Sequence, residues 1–293
     1  GAMSSPLPVE ELRVWVAERV RSGVIGSPEH AAERHAELFA APGERWFEPD
    51  SPIVRVHGDS SMFIGGLRAL LFQSLHPLAM TGVAEHSDYR HDPWGRLQRT
   101  ADFLAATTFG PATEAERAVA RVHAVHQRVT GVAADGRPYA ANDPHLLRWV
   151  HLAEVDSFLS AHDRYGAEPL SPADRDRYVR ETAVVARALG VPAPPESVRA
   201  LTDQIRMFRP ELAATQAARD AATYLLLRPP MPLPVRPAYA VIAAAAVSLL
   251  PRWARRPLRL PTLPLAEAVV VRPTADALTR GLRWALRPDE VPG

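Results

Sequence analysis

The stretch ERAVARVHAVHQRVTG, Glu116 to Gly131, decides the fold class. Val119, Val122, His126 and Val129 recur at three- and four-residue steps. That is the spacing of one helical face, whereas a half-buried strand would alternate. His126 stands where valines stand, and His123 lies on the same side one turn earlier. The next long segment, HLLRWVHLAEVDSFL from His145 to Leu159, repeats the pattern. There Leu147, Val150, His151, Glu154 and Phe158 share a face. His151 and Glu154, three residues apart, can reach one another or one metal ion.

Working outward, the chain reads as helix after helix. Apolar periodicity and proline or glycine stops delimit helices at 9–22, 28–41, 94–108, 113–130, 144–164 and 171–189. Further helices are expected at 195–208, 211–227, 237–250, 265–271 and 275–286. Ser60 or Ser61 is positioned to cap a helix carrying GGLRALLFQSLHP, with Leu67, Leu70, Leu71 and Leu75 inward and Pro77 kinking or restarting it. Thr113 to Glu116 fits a capping box. IVRVH, Ile53 to His57, alternates and reads as a short strand or an extended lead-in. GVAADGRPYAAND, Gly131 to Asp143, reads as a turn-rich loop. No G-x-G-x-x-G or G-x-S-x-G occurs, which weighs against dinucleotide-binding and α/β-hydrolase folds. The expected fold class is all-α, a single large globin-like helical bundle. Residues 1–58 form N-terminal helices and a lead-in, 59–228 the core, and 229–293 a C-terminal helical extension that wraps it.

Composition narrows the chemistry. The chain has 293 residues, is 47% hydrophobic and 23% charged, and carries a formal net charge of +1. It can bury a substantial core, and it lacks the concentrated basic field that nucleic acid requires. Gly1-Ala2-Met3 reads as a cleavage scar. No basic-then-apolar leader is visible, and the longest apolar run, Ala238 to Leu250, is too short to span a bilayer. The expectation is a cytoplasmic protein. There is no cysteine, which removes thiolate nucleophiles, iron–sulfur clusters and thiolate-ligated haem. There is no lysine either, which removes Schiff-base chemistry and the P-loop lysine. A metal or cofactor must be held by His, Asp, Glu, Tyr or Met.

Of the eleven histidines, His30, His35, His145 and His162 lie among charged residues and read as solvated. His57 sits at an element end. His76, His123, His126 and His151 fall on apolar helical faces. Each of these four is either a core residue hydrogen-bonded to a backbone carbonyl or a ligand. Two inward histidines on consecutive helices favour a buried cofactor. The link HSDYRHDPWGRLQRT, His86 to Thr100, adds an arginine-rich helix start. Arg96, Arg99 and Thr100 share a helical side, suited to carboxylates or phosphates. The plain alternative is a salt-bridged helix start with Asp88 and Asp92 as partners.

RALLFQSLHPLAMTGVAEHSDYRHDPWGRLQRT, RVHAVHQRVTG, DPHLLRWVHLAEVDSFL, DRYVRETAVVARALGVP and RPAYAVIAAAAVSLLPRWAR occur in this order. Together they resemble the catalytic domain of MpaB-type and rubber oxygenases, from about Asp59 to Leu286. The resemblance implies an all-α, globin-like fold holding haem b, and oxygen chemistry on apolar, isoprenoid- or lipid-like substrates. It implies that His126 ligates the iron and that Arg96 and Thr100 lie beside the haem. Arg99 falls where some relatives carry a distal lysine. His123 and Thr130 stand where many relatives have arginine, and Glu85 is the nearest acidic residue to the base proposed for rubber-cleaving members. The catalytic candidates are Arg99 and Thr100. The cofactor-binding candidates are His126, Arg96, His151 and His123, with His126 on the metal. His76 and His86 read as structural, bonding between helices. Two other classes fit the same residues. One is a haem-free iron or zinc enzyme built on His123, His126, His151 and Glu154. The other is a non-catalytic binder of a lipid or partner. The basic run PRWARRPLRLP, with Arg252, Arg255, Arg256 and Arg259 around Trp253, either touches an anionic membrane or is solvated surface, since prolines interrupt its amphipathic pattern.

Overall fold

The computed structural model describes residues 37–86, 93–229 and 232–286, with the side chains of 93–98 excluded, and isolated positions before 37. The helices expected at 9–22 and 28–41 lie largely outside the described residues.

The architecture is all-α, with one small hairpin. In chain order the elements are α1 (Pro52–His57), α2 (Met62–Gln73), α3 (Pro77–His86), α4 (Pro93–Phe109), α5 (Ala112–Gln127), β1 (Thr130–Val132) and β2 (Pro138–Ala140). They continue with α6 (Pro144–Tyr165), α7 (Pro172–Leu189), α8 (Val198–Phe208), α9 (Gln216–Leu227), α10 (Arg236–Leu249) and α11 (Arg252–Arg255). Then follow α12 (Pro264–Ala266), a π-helical stretch Glu267–Val271, and α13 (Arg272–Leu286).

The longest helix, α6, is the axis of the core. Asp143 caps it by accepting the amide of His145 at 2.8 Å, and Pro144 occupies its first position. Trp149, Leu152, Ala153, Val155, Phe158, Leu159 and Ala161 are all buried. Helix α2 lies along it in the most extensive helix pair. Gly65 permits that approach: a Cβ there would meet Phe158 and Ala161 at 3.2–3.3 Å. Trp149 sits between Phe72 and Phe208, with centroids 5.2 and 5.4 Å away, and donates its indole N–H to the Gln73 carbonyl at 3.0 Å.

Several expectations are corrected. IVRVH is helical. Its buried residues are Pro52, Ile53 and Val56, a three-residue step, and Pro52 stands at the first turn after an extended Ser51. GVAADGRPYAAND folds as an antiparallel hairpin pairing Thr130 with Ala140 and Val132 with Pro138. The helix containing His126 therefore ends at Gln127, not Thr130. Its first residue follows Pro111, and no side chain caps it, so the capping box at Thr113 does not form. Pro77 restarts a new helix after a turn at 74–76.

The segment after 228 is held by arginines. Arg68 on α2 donates to Asp156 (2.9 Å) and Ser157 (2.7 Å) on α6 and to the Leu249 carbonyl ending α10 (3.2 Å). Arg283 on α13 donates to both oxygens of Asp59 (2.9 and 3.2 Å) and to the Tyr165 carbonyl (2.9 Å). Burial alone would raise Asp59. The hydrogen bonds from Arg283 and Ser61 outweigh it and hold the carboxyl below its ordinary range. The basic run at 251–261 faces partly inward, contrary to the membrane reading of all its members. Arg255 is buried against the Leu250 and Ser248 carbonyls and Glu267, and Trp253 is packed between Phe72 and Arg209.

Candidate functional site

Helices α4 and α5 are joined by the two-residue turn Gly110-Pro111 and pack against each other. At about 1.5 Å rise per residue, the backbones of Arg96 and His126 stand at about the same height, some 20 Å from that turn. Thr100 lies about one helical turn nearer to it. The hairpin thus carries the start of α4 and the last turn of α5 at its end away from the Gly110-Pro111 turn.

His126 is half-buried there, with its Nδ1 atom closed off from solvent. Thr100 is half-buried and Arg99 is exposed. The side chain of Arg96 and residues 87–92, with Asp88 and Asp92, lie outside the described residues. His123 does not face inward as expected. It is exposed and lines a shallow groove of about 520 Å³ with Trp46, Glu116, Val119 and Gln127. Glu85 is exposed.

On α6, His151 is half-buried, and its Nε2 is enclosed without a hydrogen-bond partner. Burial, reinforced by the charge of Arg148, brings its pKa down to about 4, so the ring is neutral at pH 7. An enclosed imidazole nitrogen with no partner costs about 1–3 kcal/mol and calls for an explanation. An enclosed imidazole is one of the donors that haem iron takes from a protein, and the enclosed nitrogens of His151 and His126 are compatible with that chemistry.

Sequence reasoning missed three polar arrangements. His57, an apparent end-of-element residue, is bonded through Nδ1 to the Thr108 hydroxyl (2.9 Å) and through Nε2 to the Tyr178 hydroxyl (2.8 Å). Burial lowers its pKa to about 3. His162 is buried, not solvated. His145 is exposed but engages Glu211, and with His76 these form the group whose ligand atoms converge among the described residues. The converging set is thus not His123, His126, His151 and Glu154. One expectation was nearly met: His86 bonds the Tyr139 hydroxyl of β2 at 2.8 Å, joining helix to hairpin rather than helix to helix. Gly131 makes room for that hydroxyl, since a Cβ there would come within 2.5 Å of it. Tyr139→Phe should cost about 1 kcal/mol in urea unfolding. A neutral result would mean that water replaces the bond.

The model of the family described as ER-bound oxygenase mpaB/B'/rubber oxygenase, catalytic domain, matches residues 54–287. The chain belongs to this family. The match begins within α1 and runs through α13, so the oxygenase catalytic domain includes the α4–α5 hairpin, α6 and the helices after residue 228. Membership brings an oxygenase's requirement for dioxygen and a substrate. No curated protein and no solved structure matches the chain significantly. Among the described residues, no helix is long and apolar enough to cross a membrane.

Proposed function

We propose that this oxygenase-family protein uses haem b, whose iron His126 would hold, to oxygenate an apolar, isoprenoid- or lipid-like substrate. The observation that carries the reading is the family match across 54–287 in a chain whose His126 and His151 each hold an enclosed imidazole nitrogen. Bound haem would supply the oxygen chemistry, and the protein would supply ligation and polarity. His126 ends a helix whose packed face is alanine, Ala115 and Ala118, so its ring projects from a close-packed base. Arg99 is exposed, which suits a permanently charged guanidinium bound to a propionate carboxylate at the solvent edge. Thr100, half-buried one position on, is the hydroxyl available to orient a small polar ligand. In this reading residues 59–228 carry the chemistry, and the segment after 228 is an extension of the same unit, tied on through Arg68 and Arg283.

The test is reconstitution. Wild type should show a Soret band after haemin loading, and His126→Ala should lose most of it while far-ultraviolet circular dichroism is unchanged. Oxygen uptake should be greater with carotenoid-like alkenes than with polar aromatic acids. Full haem retention in His126→Ala with loss in His151→Ala would move the ligand to α6. No Soret band in wild type would remove the haem reading altogether.

A further inference from the structure

His76 occupies the turn between α2 and α3 and is only 2% exposed. Its Nε2 is enclosed, has no hydrogen-bond partner, and lies 3.8 Å from Glu211 Oε1. His145, in the first turn of α6, holds its Nε2 2.9 and 2.8 Å from the two Glu211 oxygens. Glu211 ends the 3₁₀ turn that follows α8. The three ligand atoms lie within 4.8 Å of one another. An ordinary His145–Glu211 ion pair accounts for two of these residues. It leaves the buried nitrogen of the third aimed at the same carboxylate with nothing to bond.

We propose that His76, His145 and Glu211 form a site for a zinc-class divalent cation, separate from His126 and from the oxygen chemistry. Two imidazoles and a carboxylate are a ligand set for zinc rather than for magnesium or calcium, which take oxygen. Ligand atoms around a tetrahedral zinc stand about 3.3 Å apart. His76 must close on Glu211 by a fraction of an ångström, and the His145–Glu211 contact must open by about as much. Both partners of the buried His76 in this adjustment, His145 and Glu211, are exposed side chains. Three protein ligands leave a fourth position for water on the open side.

The frame under the site is already fixed. The amide of Ala213 donates to the Leu75 carbonyl at 2.8 Å, which locks the segment after Glu211 to the turn bearing His76. Trp149 ties the start of α6 to Gln73. The Phe208 ring stacks on His145 at 4.5 Å and stands edge-on to His76 at 6.3 Å. Burial holds His76 below its ordinary pKa. Binding has one identifiable cost. Without the ion, the Leu78 amide donates to His76 Nδ1 at 3.3 Å, which keeps the ring proton on Nε2. The ion takes Nε2, the proton moves to Nδ1, and the long Leu78 contact is given up. Leu78 is in the first turn of α3, where amides have no intrahelical acceptor and can bond to water. The bound ion would staple the turn after α2, the start of α6 and the end of α8.

The experiment uses the full chain, stripped with chelator and titrated with zinc chloride by calorimetry, with melting followed in parallel. One tight zinc site per chain is expected, with a higher melting temperature and no response to magnesium. Glu211→Gln and His145→Ala, both at exposed positions, should each weaken that site about tenfold or more. His123→Ala and His126→Ala should leave it intact. Zinc affinity unchanged in Glu211→Gln and His145→Ala, or lost in His126→Ala, would overturn the assignment. Haemin loading is read separately on the same variants, so failure of the haem reading and failure of this site give different results.

Discussion

Arg68→Ala should destabilise the folded protein by about 3 kcal/mol, measured by urea unfolding. Arg68 is 3% exposed and serves three partners on two helices: Asp156, Ser157 and the last carbonyl of α10. Its guanidinium also lies 5.2 Å from the Phe72 ring centroid. Truncation leaves a carboxylate, a hydroxyl and a carbonyl without their shared donor. Asp156 keeps 28% of its side-chain surface, so water recovers part of its solvation, and the effect stays at the low end for a broken buried pair. The double variant Arg68→Met/Asp156→Leu separates charge from shape. Replacing both partners with apolar groups should recover most of the loss, because neither charge is then left behind. A loss below about 1 kcal/mol in Arg68→Ala would show that the pair contributes no more than a surface ion pair does.

Arg68 also shows what can be read from the chain and what cannot. Its place in RALLFQ, on a helix with Leu67 and Leu71 inward, is plain from periodicity. That its charge is satisfied by a residue 88 positions away and a carbonyl 181 positions away is not, since side-chain partners across a bundle leave no local pattern. Helix starts are legible where they carry local chemistry: Pro144 and Ser171-Pro172 open α6 and α7 as read, whereas α8 begins at Val198, capped by Ser197, three residues after the expected start. Where local signals conflict, tertiary burial decides. IVRVH has a strand's β-branched alternation, but Ile53 and Val56 both have to reach the core, and only a helix turns both inward. The hairpin at 130–140 has the turn residues Asp135-Gly136 but only three residues per strand, too short for alternation to be visible. The histidines sort poorly for the same reason. His126 and His151 are half-buried. His123 is exposed because the packed face of α5 is the alanine stripe at Ala115 and Ala118, not its valines. His162 has charged neighbours in sequence and is nonetheless buried, with Asp59, Arg55 and Arg283 brought near it by the fold.

Lowering the pH from 7.5 to 5 should cost the protein several kcal/mol of stability, and His57 should account for about 1–2 kcal/mol of it. In the unfolded chain a histidine takes up its proton near pH 6.5. Burial lowers the native pKa of His57 to about 3, and burial with the Arg148 charge lowers that of His151 to about 4. Between these values and 6.5 the unfolded state binds protons that the native state refuses. The contribution is therefore fully present above pH 6.5, falls steadily below it, and is gone once the native rings protonate at about 3 and 4. His76 and His162, also lowered by burial, act in the same direction. Glu181, raised by burial, acts in the opposite one. His57 can be isolated because its two bonds are to hydroxyls, which can donate or accept. His57→Gln keeps a donor and an acceptor for Thr108 and Tyr178 and removes the titrating ring. Urea unfolding at pH 7.5 and pH 5 should then show a smaller difference for His57→Gln than for wild type, even if the variant is less stable at both. An equal drop in the two proteins would assign the acid sensitivity to the other buried histidines and would mean that His57 protonates in the folded state near its ordinary pKa.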